Sequence, residues 1–176
     1  MVAFTQPTVL AVAIARGDRD EARSRFTDAE PLLEASADFQ DVAARLAGRT
    51  MTAFTQDNLK DCVGLCFEAI ESGVDIGVGS ESVRWAWPTG VAAAAALRDL
   101  DLLDRLIDWV ATKPKGHLSP VLRSELFLAR AVRADIAGKP DPGLYAAAAD
   151  QARAIGFTYA LARARAGEAA ALSSVG

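Results

Sequence analysis

Gly17-Asp18-Arg19-Asp20-Glu21-Ala22, followed by Phe26 and Ala29, reads as the turn and second half of a two-helix hairpin. A Gly-Asp turn joins the two helices, and the small residue at position 22 lets them approach closely. Phe26 and Ala29 continue the buried stripe at the three- and four-residue steps of one helical face. The same grammar returns at Asp57–Ile70, where Leu59, Cys62, Cys66, Ala69 and Ile70 take the corresponding places. Ala22 and Cys62 lie 40 residues apart, and Leu103, in a third and weaker copy, lies 41 further on. A two-helix unit recurring at about 34–47 residues is the mark of a stacked helical array. It favours a binding scaffold and argues against an enzyme.

The rest of the chain is consistent with that reading. Its 176 residues suit one domain with a continuous core. Alanine, the strongest helix former, dominates the hydrophobic half of the sequence and permits close helix packing. The net charge of −4 and pI near 5.0 have the wrong sign for a non-specific nucleic-acid binder or for an anionic membrane surface. No stretch reaches the roughly 18 apolar residues that span a bilayer, and the N-terminus lacks the basic start and cleavage site of a secretory signal. These features predict a cytoplasmic chain, either complete or cut from a longer protein.

The pattern predicts an all-α domain over 1–176, with hairpins at about 7–34, 38–73, 80–112 and 119–155 and a final helix at 158–173. Pro31 is expected to end or kink the second helix, because an interior proline removes a hydrogen bond and crowds the preceding turn. Asp38 is a candidate cap for the third helix, and Ser80 or Ser82 for the one that follows the Gly73–Gly79 loop. Ser119-Pro120 opens a later helix with proline at the favoured first position.

Three segments carry a more specific resemblance: Arg84-Trp85-Ala86-Trp87-Pro88, Lys115-Gly116-His117-Leu118-Ser119-Pro120-Val121-Leu122-Arg123, and Ala154–Ala164. In this order they resemble the C-terminal tetratricopeptide-like regions of large actinobacterial signalling proteins, which often carry an ATPase module, sometimes with a cyclase or DNA-binding regulator domain. The resemblance covers roughly Gly73 to the end, with Ala-rich hairpins before it. It implies a tetratricopeptide-like α-solenoid of about four hairpins, working as the regulatory or sensory region of a cytoplasmic signalling protein. The spacing near 40 exceeds that family's usual repeat, and the large aromatic early in each first helix is missing. No Gly-x-x-x-x-Gly-Lys-Ser/Thr phosphate loop occurs in the chain.

The chemistry-bearing residues are sparse. Gly73–Ser80 is glycine-rich but follows a helix and lacks a lysine, so a loop or helix cap is expected rather than a nucleotide site. Asp101, Asp104 and Asp108 share a helix face beside Arg98 and Arg105, which predicts a solvated face with intrahelical pairs. His117 sits in a turn with no recognised hydrolase motif around it. Cys62 and Cys66, at i,i+4, are badly placed for a disulfide and are expected to pack in the core. No catalytic residue, cofactor or metal ligand is expected. Partner binding is assigned to Arg84, Trp85, Trp87 and Arg123. Trp85 and Trp87 point about 200° apart on one helix, so one can be core while the other faces a groove. The partner expected is a protein or peptide, not nucleic acid or membrane, and a homodimer is an open alternative because arrays expose apolar ends. The second functional class is a small-molecule sensor with an apolar pocket near Trp85 and Trp87.

Overall fold

A computed structural model describes residues 6–36, 38–73 and 80–175. Among them the chain is all-α: α1 Gln6–Ala15, α2 Arg19–Glu34, α3 Phe39–Thr55, α4 Leu59–Gly73, α5 Glu81–Leu97, α6 Leu100–Ala111, α7 Pro120–Ile136, α8 Pro142–Ala154 and α9 Thr158–Val175, with one 3₁₀ turn at Lys115–His117. No strand occurs among the described residues, and none of their helices is long and apolar enough to cross a membrane.

The turns explain the repeat. Gly17, Asp57, Arg98, Gly138 and Gly156 all adopt positive φ, between 55° and 77°. The first four stand 40, 41 and 40 residues apart. Each follows the last turn of a helix, where a left-handed residue lets the chain reverse and satisfies otherwise orphaned carbonyls. At the first turn, the Asp18 N–H donates to the Ala13 carbonyl and the Gly17 N–H to the Ile14 carbonyl, both at 2.9 Å. The same double bond recurs from Asn58 and Asp57, from Lys139 and Gly138, and from Phe157 and Gly156. The following helix is then capped by a carboxylate: Asp18 accepts from Glu21 N–H, Asp99 from Leu102 N–H and Asp141 from Gly143 N–H.

Counting four residues on from Asp18, Asn58, Asp99 and Asp141 gives Ala22, Cys62, Leu103 and Tyr145, all buried. Eleven residues on, Ala29, Ala69, Val110 and Ala152 are buried too. One stripe of each second helix is therefore committed to packing. Small residues appear where aromatics need room. A Cβ on Gly48 of α3 would stand 2.6 Å from Phe26 Cδ2, and one on Gly167 of α9 would stand 2.6 Å from Tyr145 Cδ1. Both lie well inside the 3.5–4.0 Å of ordinary carbon contact, so the two rings seat directly on helix backbone.

Two compact units divide the chain, Met1–Ala96 and Leu97–Gly176, and the boundary falls at the end of α5. In the first, each of α1 to α4 packs on its sequence neighbour and α1 also meets α3. Leu10, Phe26, Leu33, Ala44 and Met51 form one cluster there. In the second, α6 to α9 pack in the same way and α7 also meets α9, with Leu128, Tyr145, Ala149, Ala164 and Ala171 clustered together. Polar ties join neighbouring hairpins: Arg19 Nη1 donates to both oxygens of Asp57, at 2.8 and 2.9 Å, and Arg49 reaches Glu30 and Glu34 at 2.6 and 2.7 Å.

Pro31 neither ends nor interrupts α2, which continues to Glu34. The turn beyond the proline carries Leu33 into the buried cluster, and burial of a leucine, about 1.5–3 kcal/mol, offsets much of the helix-breaking cost. Asp38 caps α3 by accepting from Gln40 N–H, and Ser80 Oγ accepts from Val83 N–H at 3.4 Å. The loop at 74–79 lies outside the described residues.

Candidate functional site

Helix α5 holds three of the four residues assigned to partner binding. Trp87 is fully buried, one of the largest side chains in the core. Trp85, 200° round the helix, is half-buried and lies against the Leu10–Phe26–Met51 cluster. Arg84 is half-buried as well, with its guanidinium carbon 5.4 Å from the centroid of the Trp85 ring. Such stacking is worth about 0.5–1 kcal/mol where water reaches it, and it orients a cation beside an aromatic face. Helix α5 carries Pro88 in its interior, which has no N–H to offer the Arg84 carbonyl one turn back. Thr89 Oγ1 donates to the next carbonyl, that of Trp85, at 2.8 Å. The Arg84–Trp85 step is thus the part of the helix with altered backbone bonding and a partly open side-chain surface.

Arg123, the fourth residue, is exposed on α7 in the second unit. Trp87 belongs to the interior, so it supports α5 and would have to be uncovered to meet a partner. What the first unit brings together on a reachable surface is Arg84 and Trp85.

The second unit contains a polar group that sequence reading did not single out. Glu125 on α7 has a side chain only 5% exposed, and its carboxylate accepts from Arg163 Nη1 of α9 at 3.2 and 3.4 Å. Burial pushes the Glu125 carboxyl above the usual carboxylate range, with the Arg163 guanidinium opposing the shift. Arg163 in turn lies 5.6 Å from the centroid of Tyr159, a largely exposed aromatic. Nearby in the fold, the Tyr145 hydroxyl donates to Asp135 Oδ2 at 2.5 Å, and burial together with that carboxylate raises the phenol's pKa. The signal for Glu125 was available: it lies three residues after Leu122 and four before Ala129, on the apolar face of α7.

The other residues singled out from the sequence lie apart from these two groups. Asp104 does not pair within its helix as expected. It accepts from Nε and Nη2 of Arg133 on α7, both at 2.8 Å, and this guanidinium holds its carboxyl below the usual range. Cys62 and Cys66 are free, buried thiols, and burial pushes Cys62 up to about 12 and raises Cys66 also. His117 is exposed at the end of its 3₁₀ turn. Among the described residues no group of three or more His, Cys, Asp or Glu side chains is arranged to hold a metal ion. Most of the glycine-rich segment at 73–80 lies outside the described residues. Comparison with protein-family models, with curated proteins and with solved structures gives no match for this chain.

Proposed function

We propose that this chain is a non-enzymatic helical-repeat scaffold, a tetratricopeptide-like α-solenoid that binds a protein or peptide partner. In this reading it serves as the regulatory region of a larger cytoplasmic signalling protein. The observation that carries the reading is the turn series at Gly17, Asp57, Arg98 and Gly138, evenly spaced and alike in left-handed backbone geometry. A chain built from one unit repeated offers an extended surface, because each unit contributes a helix face to it. The anchor is Arg84 stacked on Trp85, the residue types in which binding energy concentrates at interfaces.

The test is selection of binders from a displayed random-peptide library, with the chain compared against Trp85→Ala and Arg84→Gln. Enriched peptides that lose about tenfold or more in affinity to both variants, a loss near 1.4 kcal/mol, are the expected result. No enrichment, or enrichment indifferent to both substitutions, refutes the anchor. Saturable thermal stabilisation by a metabolite, with no peptide enriched, moves the assignment to a small-molecule sensor.

A further inference from the structure

Arg163 is held in place from two sides. Its Nη1 donates to a carboxylate that is almost wholly inside the protein, and its guanidinium is stacked on the ring of Tyr159, 46% exposed. The side chain itself is one-third exposed, and among the described residues Nε and Nη2 meet no acceptor. A buried ion pair between α7 and α9 is a poor source of stability, because desolvation of two charges offsets most of their attraction. What the arrangement does supply is a one-third exposed guanidinium restrained from two sides, with donors to spare beside an aromatic face.

We propose that Arg163 and Tyr159 form a preformed receptor for a carboxylate borne by an apolar segment of a partner protein. The proposal rests on the scaffold reading and names the chemistry of one contact within it. Charge supports the choice of an acidic partner: the second unit carries 11 Lys and Arg against 9 Asp and Glu, net +2, whereas the first carries 8 against 14, net −6. Glu125 narrows the choice further. It already neutralises much of Arg163, so a planar monoanion fits the free donors while a phosphate dianion meets its repulsion. The ring of Tyr159, 46% exposed, provides the apolar flank. Glu125 is a positioning residue here and does not meet the partner.

The experiment follows the Arg163 Nε–H signal by NMR while the intact chain is titrated with Ac-Leu-Asp-Leu-Glu-NH2. Ac-Leu-Asn-Leu-Gln-NH2 and inorganic phosphate at matched ionic strength are the controls. A saturable shift with the acidic peptide alone is expected. The affinity for the acidic peptide, measured for the chain and its variants by isothermal titration calorimetry, falls by about tenfold in Arg163→Lys, which loses the fork of a charge-assisted bond, and by about threefold in Tyr159→Ala, whose exposed ring is removable without unfolding. An equal response to the amide peptide or to phosphate overturns the proposal, as does an Arg163 signal that does not move. Library peptides that depend on Arg84 and Trp85, found together with an unresponsive Arg163, would leave the scaffold reading standing and remove only this contact.

Discussion

Replacing three helical glycines by alanine is expected to give opposite results, and the reason is geometric. Alanine in a helix interior is favoured over glycine by about 1 kcal/mol. Gly64 of α4 is exposed, and a Cβ there would meet nothing within 4 Å. Gly64→Ala therefore realises the full gain, worth about 2–4 °C in melting temperature for a chain of this size. At Gly48 the new carbon stands 2.6 Å from Phe26 Cδ2, about 1 Å inside normal contact. Phe26 is itself buried, so its ring has no solvent to swing into and α2 and α3 must part. Overpacking of this kind costs about 1–3 kcal/mol. After the propensity gain is subtracted, Gly48→Ala loses up to about 2 kcal/mol, against a gain of about 1 kcal/mol for Gly64→Ala. Gly167→Ala meets Tyr145 equally closely, and that ring is also held by its hydroxyl on Asp135, so its loss is at least as large. Urea and thermal unfolding monitored by circular dichroism give all three values. A double-mutant cycle with Phe26→Leu should recover most of the Gly48→Ala loss, since the shorter side chain vacates the contact. If Gly48→Ala stabilises as Gly64→Ala does, the close seating of rings on backbone is wrong.

Four further outcomes are expected. Arg163→Gln leaves Glu125 buried without its cation and should cost about 3 kcal/mol near neutral pH, whereas Glu125→Gln, which leaves Arg163 partly in water, should cost clearly less. Because the folded chain holds the Glu125 proton to higher pH than the unfolded chain does, this group's contribution to stability is fullest in acid. It declines as pH rises from about 4.3 through the raised folded value. Glu125→Gln should flatten that slope, and a slope left unchanged contradicts it. Cys62 and Cys66 should be inert to a thiol-specific chromogenic reagent in the native chain and react only on unfolding, since burial raises both pKa values and blocks access; labelling with and without urea decides this. Arg98 has φ of 55°, so Arg98→Gly should stabilise by about 1 kcal/mol in a denaturation series.

Much of the helix layout was legible because the punctuation is chemical: Gly-Asp at 17 and 18, Asp38, and Ser119-Pro120 all stand where the structure begins or ends a helix. The left-handed residues at 57 and 98 were harder to see, because neither is a glycine and only the backbone reveals them. At Pro31 local propensity argues for an end or a kink, and the helix runs on to Glu34, with Leu33 beyond the proline drawn into the core. Arg84 and Trp85 were legible as a pair because adjacency alone brings them together. Glu125 and Arg163 were not, being 38 residues apart and joined only when α9 packs on α7. A division near Leu97 left no trace in composition, since alanine-rich helical pattern runs through it.

Asp57 differs from Arg98 in one consequential way. Both hold an unfavourable backbone twist, but the Asp57 carboxylate is clasped by Arg19 from the preceding hairpin. Glycine at 57 would relax the main chain and cut that clasp at once, two effects of opposite sign and similar size. Ionic strength decides between them, because a water-exposed pair fades as electrolyte is added while steric relief does not. The second bend of the chain is therefore tuned by salt through the Arg19–Asp57 pair.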